Sequence, residues 1–434
     1  MATRRPNSET SATAPRPVRA TRQNSLDTLR SYPDFRLVLI GNFVAQGGQW
    51  LQLLTIGWLV LKLTDGNALL TGTVIGVRTL PVLAIGPWAG VLADRMDRRK
   101  VVMVTQTCMA TAACAFAFLV LATDLDADPI SGPLLWWHPF VYMIIAGIAH
   151  SIIQPVRQAM IANTVPRQSL TSALALNGMV YPSTRILAPV LGGLIIATLG
   201  FNWNFFLEAA AYVGIVLLLI PVRLRYREEA SRQHASVFSS MRDGLKFVWQ
   251  EKSILQLIVM SIIPNFIFQP LVFILPVFTT EVLGRGPGAG GMLASAIGIG
   301  GIAAGVIIAT AGYFVRKGLA TFFGLMAGCF FVLLFSQSTE LLLSMALLAG
   351  MGFSQYVFRV ANSTLIQTTV PDALRGRVMS IYQLDNGLTP LAVLAISWVV
   401  HIWTPSGTFA VVGIVGLATS VLMTVAFHRV RRLE

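Results

Sequence analysis

Long apolar runs dominate this chain, and their length decides what they form. A bilayer core of about 30 Å is crossed by roughly 20 apolar residues in helical form. Twelve segments meet that length, near 37–62, 70–93, 101–123, 138–163, 170–199, 203–222, 253–283, 289–314, 318–336, 340–369, 377–402 and 408–428. Several exceed the minimum, as tilted or proline-kinked helices do. The expected fold is an all-α membrane protein with twelve transmembrane helices in two pseudo-symmetric six-helix bundles. Residues 1–33 are polar, rich in Arg, Ser, Thr and Pro, and show no cleavable signal peptide; they read as a disordered cytoplasmic tail. The bundles then occupy 34–222 and 253–428, a connector 223–252, and a short cytoplasmic tail 429–434.

Within the connector, Val237, Met241, Leu245 and Val248 fall on one helical face. That pattern predicts an amphipathic helix on the inner membrane surface, with a solvated linker as the alternative. A weak repeat supports the six-plus-six division. Span 4 contains Gln154-Pro-Val-Arg157 and leaves through Thr164-Val-Pro166; span 10 contains Gln355 and Arg359 and leaves through Thr369-Val-Pro371. Repeated halves are a mark of secondary transporters, whose substrate site lies between the halves near the midplane.

Composition agrees. Of 434 residues, 55% are hydrophobic and 12% charged, about half the charge of a soluble chain. The net charge of +13 would suggest nucleic acid in a soluble protein. Its distribution gives another cause. Twenty-six of the 32 Lys and Arg residues fall in segments on one side, only Lys62 and Arg285 on the other, and four within spans. The positive-inside rule then places both termini in the cytoplasm of a bacterial-type inner membrane, and no nucleic acid is needed. Cys108, Cys114 and Cys329 sit singly in apolar runs and read as small hydrophobes, not as a disulfide or metal site.

A charge at the bilayer centre costs at least roughly 2.5–3.5 kcal/mol, so each is a functional candidate. Arg78, Arg157, Arg185, Arg359 and Asp385 lie near midspan, and Glu208 lies shallower in span 6. Polar stripes accompany them: Asn42, Gln46 and Gln49 in span 1; His150, Gln154 and Arg157 in span 4; Asn177, Tyr181 and Arg185 in span 5; Asn265 and Gln269 in span 7; Gln355, Arg359 and Asn362 in span 10. Such stripes face a water-filled cavity or a polar seam. Asp385, Glu208 and His150 are the proton-coupling candidates. Asp385 equally fits a permanent ion pair with an arginine, and structural readings are favoured for Glu208 and His150. Arg78, beside Pro81, also admits a structural role. Four arginines against two acids favour an anionic or electron-rich substrate over a cation.

The most specific string joins spans 2 and 3: Gly86-Pro-Trp-Ala-Gly90-Val-Leu-Ala-Asp94-Arg95-Met-Asp97-Arg98-Arg99-Lys100. Gly86 and Gly90 form a GxxxG face for close helix approach. Asp94 ends span 2 where it can accept from a helix N-terminus, and the basic cluster holds the loop at the membrane surface. This string resembles the signature loop of the major facilitator superfamily. The usual glycine is replaced at Met96 or Asp97, a departure shared by the enterobactin exporter and transmembrane secretion effector branch. Gly41-Asn42-Phe43 with Trp50, Arg78-Thr-Leu-Pro81 and Leu374-Arg375-Gly376-Arg377 resemble that branch as well.

The resemblance implies that Asp94 is a conformational latch whose partner is the start of span 11, near Arg375 to Val378. The corresponding loop between spans 8 and 9 keeps only Arg316 and Lys317, with Ala311 in the acidic position, so the latch is expected on one side alone. It also implies that spans 1, 4, 7 and 10 line the substrate cavity. In span 5, Arg185-Ile-Leu-Ala188-Pro189-Val-Leu-Gly192-Gly193 resembles the superfamily's antiporter element. Pro189 with Gly192 and Gly193 would kink the helix at a rocking interface, or do so as a plain structural kink.

No HExxH, Walker-type or GxSxG string is present, so the chain reads as neither an enzyme nor an ATP-driven pump, and it calls for no cofactor or metal. The expectation is a monomeric secondary active transporter: a proton-coupled exporter of siderophore-like, drug-like or amphipathic small molecules, working by alternating access. A non-cycling membrane receptor or scaffold, or a facilitator or importer of the same fold, are the alternatives.

Overall fold

The computed structural model describes residues 25–81, 84–85, 96–224, 237–311, 316–383 and 387–431. All regular elements among them are helices. The first half comprises α1 (Ser25–Ser31), α2 (Pro33–Leu63), α3 (Ala68–Val77), α4 (Arg98–Leu121), α5 (His138–Ala162), α6 (Arg167–Gly178), α7 (Val180–Leu199) and α8 (Phe201–Leu219). The second comprises α9 (Val237–Gln250), α10 (Lys252–Glu281), α11 (Pro287–Ala311), α12 (Lys317–Ser336), α13 (Leu341–Thr369), α14 (Asp372–Gln383), α15 (Thr389–Ile402), α16 (Pro405–Ala426) and α17 (His428–Arg431). Nine membrane-crossing helices are long and apolar enough by themselves among the described residues. α2 has the length, 31 residues, but interrupts its apolar run with Asn42, Gln46, Gln49 and Gln52.

Helix ends follow ordinary capping chemistry. Asp97 accepts from the backbone N–H groups of Arg99 and Lys100 and starts α4. Asn67 does the same for α3 through Leu70, and Thr404 for α16 through Gly407. Asp97 therefore has a local task in the position where the superfamily string often has glycine. Arg99 reaches across to the carbonyl of Ile220, fastening α4 to the end of α8.

In span 5 the interruption falls at Met179, between α6 and α7, and the helix continues through Pro189. Pro189, the expected kink site, lies within α7. Its carbonyl faces α11, where it meets Gly291.

The connector forms the helix α9, whose sides are covered unequally. Val248 is 2% exposed but Leu245 is 46% exposed, with Trp249 outward beside it. The reason is Gly244. A Cβ there would lie 3.1 Å from Arg377 Cβ and from Ile381 Cδ1 of α14, so the glycine lets α14 come close. The inward stripe then runs Gly244–Val248, and Leu245 is turned outward.

The two halves meet mainly at the end of the molecule opposite α1 and α17. There α7 packs along α11 and α3 along α15, with α10 against α2 and α3. Small residues make this possible, because lipid supplies no hydrophobic drive for helix association and close backbone approach must do so. A Cβ on Gly193 would lie 2.6 Å from the Pro287 carbonyl and 3.1 Å from Gly291 Cα. Gly72 has no room for a methyl group against Ser397, and Gly290 packs on the Trp58 ring. At the end carrying the termini, α5 and α6 make no comparable packing with α13 or α14 among the described residues. Among the described residues, the halves are packed together at one end and not at the other.

At the closed end, Lys62 in the last turn of α2 pairs with Asp126 of the α4–α5 loop. The ammonium holds the Asp126 carboxyl below the ordinary carboxylate range by hydrogen bond and charge. A depressed carboxylate pKa contributes stability above the unfolded-state value, lost as pH falls through the folded-state value. This brace therefore acts at neutral pH and disappears in acid.

The seam between α7 and α11 yields a direct test. Cβ atoms at positions 197 and 288 would lie 3.9 Å apart, within the roughly 3.5–4.5 Å of a disulfide. An Ala197→Cys, Gly288→Cys pair should cross-link under mild oxidation. Gly291→Val, which drives a side chain into the Pro189 carbonyl, should abolish that cross-link. Its persistence in the valine variant would show that the seam closes without the glycine.

Candidate functional site

Two connected cavities lie between the halves. One, of about 320 Å³, is walled by Gly178, Tyr181 and Arg185 near the α6–α7 junction, by Ile297, Gly298 and Gly301 of α11, and by α13. The other, of about 400 Å³, is walled by Gln158 of α5, by Ser261, Pro264, Asn265 and Gln269 of α10, by α13, and by Met379 and Tyr382 of α14. Gln355, Arg359 and Ser363 of α13 border both. The second extends past Gln367 toward the parted end. A third, small void of about 40 Å³ sits beyond Arg185 within the closed end, among Trp50, Trp58, Phe273 and Pro276.

Gln355, Arg359, Ser363 and Gln367 are spaced four apart, so the cavity face of α13 follows i, i+4, i+8 and i+12. Asn362, expected on this stripe, is fully buried and donates to the Leu257 carbonyl of α10 at 3.2 Å. One residue is about 100° of helix rotation, enough to turn Asn362 from the cavity into the bundle.

Span 4 repeats the rule. Gln158 lines the cavity, while Arg157 is 5% exposed and turned into the first half. Arg157 Nε donates to Asn42 Oδ1 at 3.0 Å and Nη2 to the Asn42 carbonyl at 3.3 Å. Asn42 donates onward to Asn177 Oδ1 at 3.1 Å. Counted back from the shared Thr-Val-Pro exit, Arg157 and Asn362 both stand seven residues before the threonine. They are the equivalent pair, each tying its helix to the first helix of its own half. Arg359 matches Gln154 by the same count, so the Gln/Arg likeness of the two halves is one of composition.

The remaining span 1 residues are also internal. Gln46 donates to Gln49 at 3.1 Å and both are buried. Neither they nor Asn42 line either cavity. Arg78 places Nη2 3.3 Å from His150 Nδ1, and Gln154 lies 3.4 Å from His150 Nε2. His150 is thus engaged on both ring nitrogens by its neighbours. Asn265 does border the cavity, accepting from Thr389 at 3.4 Å.

Glu208 is fully buried in the first half. Its Oε1 accepts from Gln52 Nε2 at 2.8 Å, and the phenols of Tyr142 and Tyr212 lie beside it. Oε2 and the Tyr142 hydroxyl complete no hydrogen bond, and Glu208 forms no ion pair among the described residues. An ionised carboxylate so placed would be costly.

Arg185 stands at the boundary between the cavity and the closed end. Its guanidinium carbon lies 5.7 Å from the Trp50 ring centroid, and Trp50 meets Tyr181 edge-on at 5.5 Å. Pro189 and the buried Gly192 and Gly193 follow on α7; the Gly192 carbonyl accepts from Asn204 at 2.9 Å. Gly86, Gly90, Asp94 and Arg95 of the latch string, and Asp385, lie outside the described residues. Arg98, Arg99 and Lys100 open α4.

Tyr356, Ser363, Gln367 and Tyr382 border the cavities without having been singled out from the sequence. Ser363 and Gln367 were signalled by their four-residue spacing from Arg359; Tyr356 and Tyr382 carried no such signal.

Residues 38–389 match the sequence profile of the Major Facilitator Superfamily. The chain is 26% identical to the staphyloferrin A transporter of Staphylococcus aureus, over 91% of this chain and 94% of that one. It is 26% identical to the multidrug efflux pump Tap of Mycolicibacterium fortuitum, covering 80% and 83%, and 23% to the enterobactin exporter EntS of Shigella boydii, covering 83% and 84%. Among solved structures, a bacterial homologue of the iron transporter ferroportin shares the fold with a TM-score of 0.67, 16% identity and coverage of 92% and 98%.

The buried ties give a stability test. Asn42→Leu removes the side-chain acceptor of Arg157 Nε and the bond to Asn177, leaving Arg157 only the backbone carbonyl, and should destabilise the purified protein by about 1–3 kcal/mol. Gln355→Leu, on the cavity wall, should leave the thermal melt nearly unchanged. Equal melting temperatures for the two variants would overturn the distinction between tie and lining.

Proposed function

This chain belongs to the Major Facilitator Superfamily and is a multi-pass membrane transporter, and from that premise we propose that it exports small organic molecules by proton-coupled alternating access. The carrying observation is the polar cavity between halves that, among the described residues, are packed together only at the end opposite the termini. With the basic side in the cytoplasm of a bacterial inner membrane, that cavity is open to cytoplasmic cargo. The relatives support export of siderophore-like, drug-like or amphipathic compounds, since their names specify enterobactin export, staphyloferrin A transport and multidrug efflux.

Alternating access needs two arrangements of nearly equal free energy and a ligand that binds them differently. The rigid units are the two bundles, and the glycine-lined seam between α7 and α11 is the surface that would part. Asp94 is the proposed latch, meeting the start of span 11 when the basic side closes. For coupling, Asp385 and Glu208 are the proposed proton carriers. Glu208 is buried with one carboxylate oxygen held by Gln52, two phenols beside it, and no ion pair among the described residues. His150, bound on both sides, is proposed to position Arg78.

Everted vesicles with an imposed pH gradient test this reading. Uptake of a fluorescent amphipathic dye should require the gradient, fall at least tenfold in Asp94→Asn with normal membrane insertion, and fall in Asp385→Asn or Glu208→Gln. Gradient-independent uptake would overturn proton coupling; unchanged uptake in Asp94→Asn would overturn the latch.

A further inference from the structure

The cavity between α7, α11 and α13 holds two arginines from opposite halves. Arg185 comes from the first and Arg359 from the second, and both border the same space of about 320 Å³. No Asp or Glu stands among the described residues lining this cavity or its neighbour. Arg359 is exposed to the cavity and forms no ion pair among the described residues. Arg185 Nη2 is buried without a hydrogen-bond partner. Its guanidinium carbon lies over the Trp50 ring, a contact that uses up none of its hydrogen-bond donors.

The other two arginines buried in the first half do have side-chain partners there, Arg157 on Asn42 and Arg78 beside His150, although each also keeps one buried nitrogen without a partner. Here two like charges face one space with no compensating acid in its described wall, and their repulsion is felt strongly where water is scarce. A single carboxylate would satisfy one arginine and leave the other.

We propose that this cavity binds organic anions carrying two acidic groups, one held by Arg185 and the other by Arg359, so that the ligand bridges the two halves. The inference rests on the transport reading and names the substrate class of that same site. Tyr181 and Tyr356 border the space and suit a planar spacer between the acids. A bridging dianion replaces repulsion between the halves by attraction to both, which favours the arrangement that brings them together. A monoanion does this for one half only, and a neutral compound for neither.

The full chain in nanodiscs can be titrated calorimetrically with terephthalate, benzoate and benzamide. Terephthalate should bind at least tenfold more tightly than benzoate, benzamide should give no saturable heat, and raising NaCl should weaken terephthalate binding. Arg359→Gln, at an exposed position that no fold contact depends on, should erase the preference for the diacid. Arg185→Gln should do the same, and Arg185→Lys should keep part of it. Equal affinities for terephthalate and benzoate, a preference that survives in Arg359→Gln, or no saturable binding of terephthalate at millimolar concentration would each overturn the proposal. Binding needs no gradient, so the readings separate: terephthalate bound but never moved counts against export alone, and gradient-driven efflux of neutral dyes without dianion binding counts against this inference alone.

Discussion

Where α7 crosses α11, the Pro189 carbonyl rests against Gly291 and the Pro287 carbonyl against Gly193, with no space for a single methyl group between them. Two backbones in such contact gain dispersion energy along their length, and in lipid that gain is the main force available to hold helices together. The seam is made mostly of small residues, with Ile186 packed on Gly298, and few hydrogen bonds cross it; the Ser295 hydroxyl donating to the Ile186 carbonyl is one. Parting it would break few polar contacts. The closed end of the molecule and the open cavity behind it both follow from that property. The aromatic plug of Trp50, Trp58 and Phe273 completes the seal around the seam.

Inside each half the logic is the opposite. Arg157 with Asn42 and Asn177, Asn362 with the Leu257 carbonyl, and Asn204 with Thr55 and Gly192 join helices by directional bonds. Breaking any of these in a dry interior strands a polar group. Polar ties lie within the bundles and small-residue contacts between them, the distribution that the proposed rigid-body alternation calls for. The docking of α9 on α14 through Gly244 adds a mechanical link, since the segment joining the halves rests on a helix of the second one.

The helical architecture was legible because one rule governs it: a backbone crossing lipid must satisfy its own hydrogen bonds, so apolar segments of sufficient length become helices. The side preference of the basic residues was readable by the same kind of counting. The site was legible only in part, and the failure is specific. Stripes at i, i+4, i+7 and at i, i+4, i+8 are both regular in sequence. In a helix packed on several sides, the polar residue one step away can face a neighbour instead of the cavity. Thus Arg157 and Asn362 became ties, whereas Gln158 and Ser363 became wall. Nor does sequence reveal which glycine meets which backbone: Gly193 was noted as a flexible element of span 5, but its partners Pro287 and Gly291 are nearly a hundred residues away.

The fate of the arginines ties these strands together. The chain carries four within its spans, and insertion of each is costly. Arg157 and Arg78 are bound to partners inside the first half, where a fixed hydrogen bond is an asset. Arg185 and Arg359 stand at the interface between halves, where a fixed ion pair would be a liability. A carboxylate bridging them would fasten the bundles and hold the carrier in one arrangement. Leaving them without an acid in the described wall keeps the interface separable when empty and reserves the attraction for a ligand. The same chemical group is structural or responsive according to whether the helices it could join are meant to move.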